Sequence, residues 1–190
     1  MGGSTIKAAI VDDHSELAEY HGKYSKATSA EDRQKWANQY QWELARHTVA
    51  EELVLYPAFE KHLGPLGSDV TARERAEHQA QKELQYRMER MGVQDEAYQG
   101  VFDQLQKELA EHVIEEEATL DKLELVLTPE ENESLTHALE HIKAYLPTRA
   151  HPGTHQSPPF ETIEGMLLAP IDRFKDLFVK WPTKEDKKAE

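Results

Sequence analysis

Two histidine–carboxylate turns recur in this chain with nearly the same internal spacing. They read His47-Thr48-Val49-Ala50-Glu51 and His112-Val113-Ile114-Glu115-Glu116. A lone histidine precedes each turn, His14 by 33 positions and His78 by 34. The lone histidines are 64 apart and the turns 65 apart. Such matching describes a duplicated two-helix unit, each half with two imidazoles and one carboxylate at corresponding places. Residues four apart on a helix share a face, about 6 Å apart at Cβ. His47 with Glu51, and His112 with Glu116, can therefore each reach one centre. The chain must fold so that four helices bring these groups together.

Hydrophobic periodicity supplies the helices. Ile6, Ile10, His14, Leu17, His21 and Tyr24 fall at three- to four-residue steps, which predicts a helix over about 5–28. Ser29, with Asp32 three places on, opens a second helix that runs to about His62. Its inward stripe is Trp36, Tyr40, Leu44, His47, Glu51, Val54 or Leu55, and Ala58, and Pro57 is expected to kink it. The run Gly64-Pro65-Leu66-Gly67-Ser68 reads as a turn. A third helix spans about 69–91, with His78, Gln81, Leu84, Met88 and Met91 on one face. The fourth, from about Asp95, carries Phe102, Leu105, Leu109, His112, Glu116, Leu120 and Leu123, close to a bundle seam. Thr128, Pro129 and Glu131 form the capping signature of a fifth helix over about 129–146. No strand pattern is visible.

The expected organisation is a helical bundle over 1–146, a Pro-rich linker over 147–159, and a C-terminal amphipathic helix with a frayed end over 160–190. The tail stripe of Ile163, Met166, Leu167, Ile171, Phe174, Leu177, Phe178 and Trp181, with Pro170 as a defect, is expected to pack on the bundle.

His112 and Glu116 interrupt a stripe of Leu and Phe, so the periodicity aims them into the core. An unpaired buried carboxylate costs several kcal/mol unless it is paired or metal-bound. Two such carboxylates beside four imidazoles are explained together by cations, and that donor mixture suits iron, with manganese or zinc allowed by chemistry. Glu52 and Glu117, at +5 from their histidines, lie about 140° round an α-helix, towards solvent or an outer layer. Glu115 at +3 has Ala50 as its counterpart, so the repeat favours Glu51 and Glu116.

Composition narrows the alternatives. The chain has no cysteine, which excludes disulfides, thiolate metal sites and cysteine nucleophiles. A formal charge of -14 argues against nucleic acid and anionic membranes as partners. No apolar run approaches a membrane span or a signal core, so the expected compartment is the cytosol and the expected state a monomer or homodimer. None of the ten histidines has a glutamate three places before it, which sets aside the Glu-x-x-His di-iron pattern. No His-Glu-x-x-His, glycine-rich phosphate loop or Gly-x-Ser-x-Gly is present. Of the other histidines, His137 and His141 read as surface, and His151 and His155 as solvated. Tyr20, Tyr40 and Tyr56 are core residues that could also hydrogen-bond a ligand at the centre.

Asp13-His14, His47 to Glu52, Glu77-His78 and His112 to Glu117, in this order, resemble the hemerythrin-like family of HHE cation-binding domains over about residues 5–125. The resemblance implies an all-α, up-down four-helix bundle, here with an extra helix and a C-terminal helical tail. It implies a centre of two non-haem iron ions, often oxygen-bridged. It implies His14, His47, Glu51, His78, His112 and Glu116 as ligands, and dioxygen or a related small oxidant as the molecule bound. The chain departs from the oxygen carriers of the family on the third helix, where they place two histidines four apart. Here Glu74 stands four before His78 and Lys82 four after it. Glu74 is thus a candidate seventh ligand and Lys82 a candidate outer donor. Fewer fixed nitrogen ligands disfavour simple reversible oxygen carriage. Three functions follow: binding or sensing of dioxygen, peroxide, nitric oxide or iron; a di-iron oxidase, oxygenase or peroxidase; and a metal-free helical adaptor.

Overall fold

The computed structural model describes residues 5–153 and 160–188, with side chains of the second stretch from Leu168 onward. Among the described residues the chain is all-helical, without a strand. Helix α1 spans Ile6–Lys26, α2 Ala30–Ala50, α3 Tyr56–Leu63, α4 Pro65–Glu89, α5 Tyr98–Glu124, α6 Pro129–Ile142 and α7 Phe160–Asp176. Helices α1, α2 with α3, α4 and α5 run alternately up and down as the four walls of a bundle, and α6 lies against α1. No helix among the described residues is long and apolar enough to cross a membrane.

The caps are those the sequence announces. Ser29 Oγ accepts the Asp32 amide at 3.0 Å, and Thr128 with Glu131 makes a complete capping box ahead of Pro129. The expected kink at Pro57 takes another form. Between α2 and α3 the helix continues through a π turn, Glu51–Leu55, where the Tyr56 amide bonds back to the Glu51 carbonyl. Pro57 has no N–H and its ring crowds the carbonyl four residues earlier, so a widened turn upstream relieves both problems.

The expected turn over 64–68 is compressed into Gly64 alone, at φ 58°, and α4 begins at once with Pro65 in its first turn. The α3–α4 hairpin then closes so tightly that a Cβ on Gly67 would lie 1.9 Å from the Phe59 carbonyl oxygen. Helix propensity favours alanine over glycine by about 1 kcal/mol. The clash outweighs it, because the obstacle is backbone. We expect Gly67→Ala to destabilise the fold by about 2–3 kcal/mol and to lower the melting temperature by at least 5 °C, on the order expected for a chain of this size. A thermal melt showing an unchanged or raised midpoint would rule the close approach out.

The core is divided. One apolar cluster includes Leu17, Tyr24, Tyr40, Leu44, Leu84, Met88, Phe102 and Leu105. The other includes Ile6, Ile10, Leu55, Tyr56, Phe59, Leu120 and Leu123. Along α1, α2, α4 and α5 the seam positions between the clusters are His14, His47, His78 and His112, with Glu51 and Glu116. The polar layer thus lies across the middle of the bundle, walled by apolar residues on both sides.

The C-terminal region departs from expectation. Residues 147–153 are tied down by polar contacts. Asp172 Oδ2 accepts the Thr148 amide at 3.2 Å and His151 Nε2 at 2.8 Å, Thr148 Oγ1 donates to Asp176 at 2.7 Å, and Glu89 accepts the Ala150 amide at 3.0 Å. His151 is therefore held by Asp172 and is not a freely solvated residue. Ala169, Asp172 and Asp176 lie on the inward side of the described part of α7, and four residues of the apolar stripe, Ile171, Phe174, Leu177 and Phe178, are exposed. Ile163, Met166 and Leu167 lie outside the described side chains, as does His155. Trp181 packs edge-on against Trp42.

Candidate metal centre

The structure brings His14, His47, Glu51, His78, His112 and Glu116 into one buried layer. Each helix contributes from its inward face, because all six positions fall on the 3.6-residue seam. His14 and His47 form one pair. His47 Nε2 is 3.0 Å from Glu51 Oε1, and His14 Nε2 is 3.4 Å from Glu116 Oε2. His78 and His112 form the other. His78 Nε2 is 3.5 Å from Glu51 Oε2, and His112 Nε2 is 3.9 Å from Glu116 Oε1. Each carboxylate therefore offers one oxygen to each histidine pair. Glu74, fully buried, joins His112 and Glu116 on the second side, with candidate ligand atoms within 4.8 Å of one another.

A second set of carboxylates holds the imidazoles from behind. Asp13 Oδ2 accepts from His47 Nδ1 at 3.2 Å, and Glu52 Oε1 from His78 Nδ1 at 3.1 Å. Glu77 Oε2 accepts from His112 Nδ1 at 2.9 Å, and Glu117 Oε1 from His14 Nδ1 at 3.0 Å. Followed round the bundle, these links run α1 to α2, α2 to the α4 wall, α4 to α5, and α5 back to α1. They close a ring.

Helix geometry explains the ring. Neighbouring residues on a helix are turned about 100° from each other. On the ascending helices α1 and α4 the acid sits one before the inward histidine; on the descending helices α2 and α5 it sits one after the inward glutamate. Reversing the helix direction and reversing the offset cancel, so viewed down the bundle all four acids turn the same way. Each points at the next helix. The π turn that follows α2 brings consecutive residues closer in angle, so Glu51 and Glu52 are both buried, whereas Glu117 in the regular α5 keeps a side chain 37% exposed.

Cations anchor three of the four acids. Lys143 pairs with Asp13, Lys82 Nζ lies 2.7 Å and 2.8 Å from the two Glu52 oxygens, and Arg73 is 3.7 Å from Glu77. Lys82 is buried and faces Glu52 rather than the centre. Tyr56 reaches the centre, its hydroxyl 2.9 Å from His78 Nε2, while Tyr20 and Tyr40 belong to the apolar cluster above. Glu115 is exposed and pairs with Arg73 at 2.9 Å.

The electrostatics expose the need for positive charge. Burial and the charge of Glu116 push Glu51 up to about 7. Burial and Glu116 push Glu74 up to about 9. Glu116 itself is lowered, since the imidazoles of His14 and His112 beside it overcome burial. Burial opposes charge on His47, but Glu51 and Asp13 hold it at about 10; burial likewise opposes charge on His112, but Glu77 and Glu116 hold it at about 9. Burial dominates at His78, which falls to about 4. Without a cation, the layer must be neutralised by protons.

The inward atoms suit a cation directly. Both oxygens of Glu51, Glu74 and Glu116, and Nε2 of His14 and His47, are buried without a hydrogen-bond partner. With Nδ1 of His78 and His112 donating outward, two Nε2 lone pairs would face each other at 3.2 Å, that of His78 also lying within reach of the Tyr56 hydroxyl. A proton or a metal ion between or beside them removes the repulsion. Outward donation from Nδ1 is the arrangement that orients imidazole ligands and raises their basicity.

Such a layer of imidazole and carboxylate inside an up-down bundle defines a class of cation-binding helical proteins, and the comparisons agree. The family model of the hemerythrin HHE cation binding domain matches residues 5–123. An uncharacterized hemerythrin-like protein of Schizosaccharomyces pombe is 38% identical over 178 residues, which cover 93% of this chain and 88% of that protein. No solved structure matches. The chain belongs to the hemerythrin-like family of HHE cation-binding domains.

Proposed function

We propose that this protein is a non-haem di-iron protein that binds or senses dioxygen or a related small oxidant. One ion would be held by His14 and His47, the other by His78, His112 and Glu74, with Glu51 and Glu116 shared between them. The observation that carries this reading is the division of the buried carboxylates of Glu51 and Glu116 between two histidine pairs, with their oxygens unpartnered. Iron in this setting supplies one-electron chemistry and open positions for a small ligand. The protein's own part is to fix the imidazoles through the ring of acids, to exclude water with two apolar clusters, and to balance charge with carboxylates. Three carboxylates beside four imidazoles favour sensing or redox use over simple carriage, because hard oxygen donors stabilise the more oxidised ion.

The test is metal content and the visible spectrum of protein made in iron-replete cells. A ratio near two irons per chain, with near-ultraviolet charge-transfer absorption in air, is expected. Protein that carries no metal, and whose melting is unchanged by a chelator, would leave only a metal-free helical adaptor.

A further inference from the structure

The partnerless polar groups do not end at the ligand layer. Helix α4 continues past His78 with Gln81 and Gln85 at seam positions, where a bundle ordinarily places Leu or Ile. Both side chains are fully buried, and in each the amide oxygen and nitrogen lack a hydrogen-bond partner. The facing seam positions on the other helices are apolar: Leu17, Leu44, Leu105 and Leu109. Beyond the ligand layer, other polar atoms buried without a partner in the neighbouring helices are single ones, the hydroxyls of Tyr40 and Thr48 and Oε1 of Gln41 on α2 and Nε2 of Gln106 on α5, whereas on α4 two whole amides are left bare in succession. A buried amide left unpaired costs about 1–3 kcal/mol. Two in succession, immediately beside a candidate ligand site, call for an occupant.

A groove opens at the far end of the same helix face. Met88, one turn beyond Gln85, lines a groove of about 370 Å³ between α2, α4 and the C-terminal segment, and Gln41 of α2 lines it too. Gln41 Nε2 is bonded within the protein, to the Ala37 carbonyl and the Tyr98 hydroxyl, while its Oε1 is buried and unpartnered. From His78 to Met88 is about 15 Å along the helix. Gln41 in the groove and Gln85 and Gln81 nearer the centre thus lie at successive depths along α2 and α4, with Met88 between the groove and Gln85.

We propose that Gln81 and Gln85 form a hydrogen-bonding subsite beside the centre, selecting a small polar ligand that accepts hydrogen bonds from their amide groups. This inference rests on the di-iron reading and adds the class of ligand. An apolar diatomic gains nothing from an amide, and a leucine would serve it better. A hydroperoxide or a triatomic anion gains one or two hydrogen bonds, and its hydration is replaced on entry.

The experiment uses the full chain loaded with iron and two probes. Azide, which accepts hydrogen bonds, is titrated against the oxidised protein. Nitric oxide, a nearly apolar diatomic, is titrated against the reduced protein. Both are followed by visible absorption, with iron content measured in every sample. Gln81→Leu is expected to weaken azide binding at least fivefold, about the loss of one hydrogen bond, while leaving nitric oxide binding within twofold and iron content unchanged. Metal-free Gln81→Leu should melt at or above the wild-type temperature, because an unpaired amide has gone. Gln85→Leu, two turns from His78, repeats the test should the first variant disturb iron. Azide binding within twofold of wild type in both variants overturns the subsite, as does loss of iron from both, which would make the amides structural supports. A wild-type protein that takes up no iron overturns the di-iron reading and the subsite with it, and is told apart by the metal analysis alone.

Discussion

Glu74→Leu is expected to stabilise the metal-free protein and to cripple the loaded one. Glu74 is fully buried, neither oxygen has a hydrogen-bond partner, and Arg73 approaches only to 3.8 Å. Burial and the adjacent Glu116 raise its pKa to about 9, so the folded chain holds it with a proton at neutral pH. Replacing such a group by an apolar side chain of similar size removes the penalty of an unpartnered buried polar group, about 1–3 kcal/mol. For a chain of this length that is roughly 3–10 °C in melting temperature. With metal the sign reverses, because Glu74 would be the extra carboxylate of the His78–His112 ion. Loss of that donor should release the ion or weaken it by at least tenfold, and the stabilisation by metal shrinks with it. Paired melts with and without chelator read both effects in one experiment. A variant less stable than wild type when metal-free, yet still fully loaded with iron, would remove Glu74 from the centre.

The opposite signs reflect a general tension. Groups arranged for a cation repel one another in its absence, so the site is a weak layer between two strong apolar clusters. Residues that serve only packing show no such reversal: Leu44 or Phe102 truncated to alanine should lower both curves together.

Much of this arrangement was legible in the sequence because it is periodic. The seam of α5, from Phe102 to Leu123, places His112 and Glu116 inward by spacing alone, and the duplicated offsets single out their counterparts in α1, α2 and α4. Caps at Ser29 and Thr128 follow from local hydrogen-bonding chemistry that needs no tertiary context. What escaped the sequence reading depends on neighbours. The acids Asp13, Glu52, Glu77 and Glu117 stand beside inward residues in every helix, but their shared function appears only when the alternating helix directions are known. The offset itself, one before in α1 and α4 and one after in α2 and α5, was the available signal. Glu52 was harder still, since its burial follows from a π turn caused by Pro57, and a regular helix would have left it outside. The tail differs for the converse reason: Asp172 and Asp176 find partners in residues 148–151, and Ile171, Phe174, Leu177 and Phe178 are left outward.

Rising pH should destabilise the metal-free protein and leave the metal-loaded one nearly level, so that the two draw apart. In the metal-free chain Glu51 is raised from 4.5 to about 7 and Glu74 from 4.5 to about 9. Their contribution to stability is complete below the unfolded value and is lost as pH climbs through the folded values. His47, raised from 6.5 to about 10, and His112, raised from 6.5 to about 9, act in the same sense. The opposing groups, His78 lowered to about 4 and Glu52 lowered to about 2, contribute stability that is lost only as pH falls below neutrality. Between pH 6 and 9, then, the metal-free protein should lose several degrees of melting temperature. Over the same window metal affinity should rise, because a cation competes with protons for His47, His112, Glu51 and Glu74. The gap between loaded and chelated melting curves is expected to widen steadily from pH 6 to pH 9. Parallel curves across that range would mean that the layer exchanges no protons for metal. The raised groups would then not be the ones that hold it.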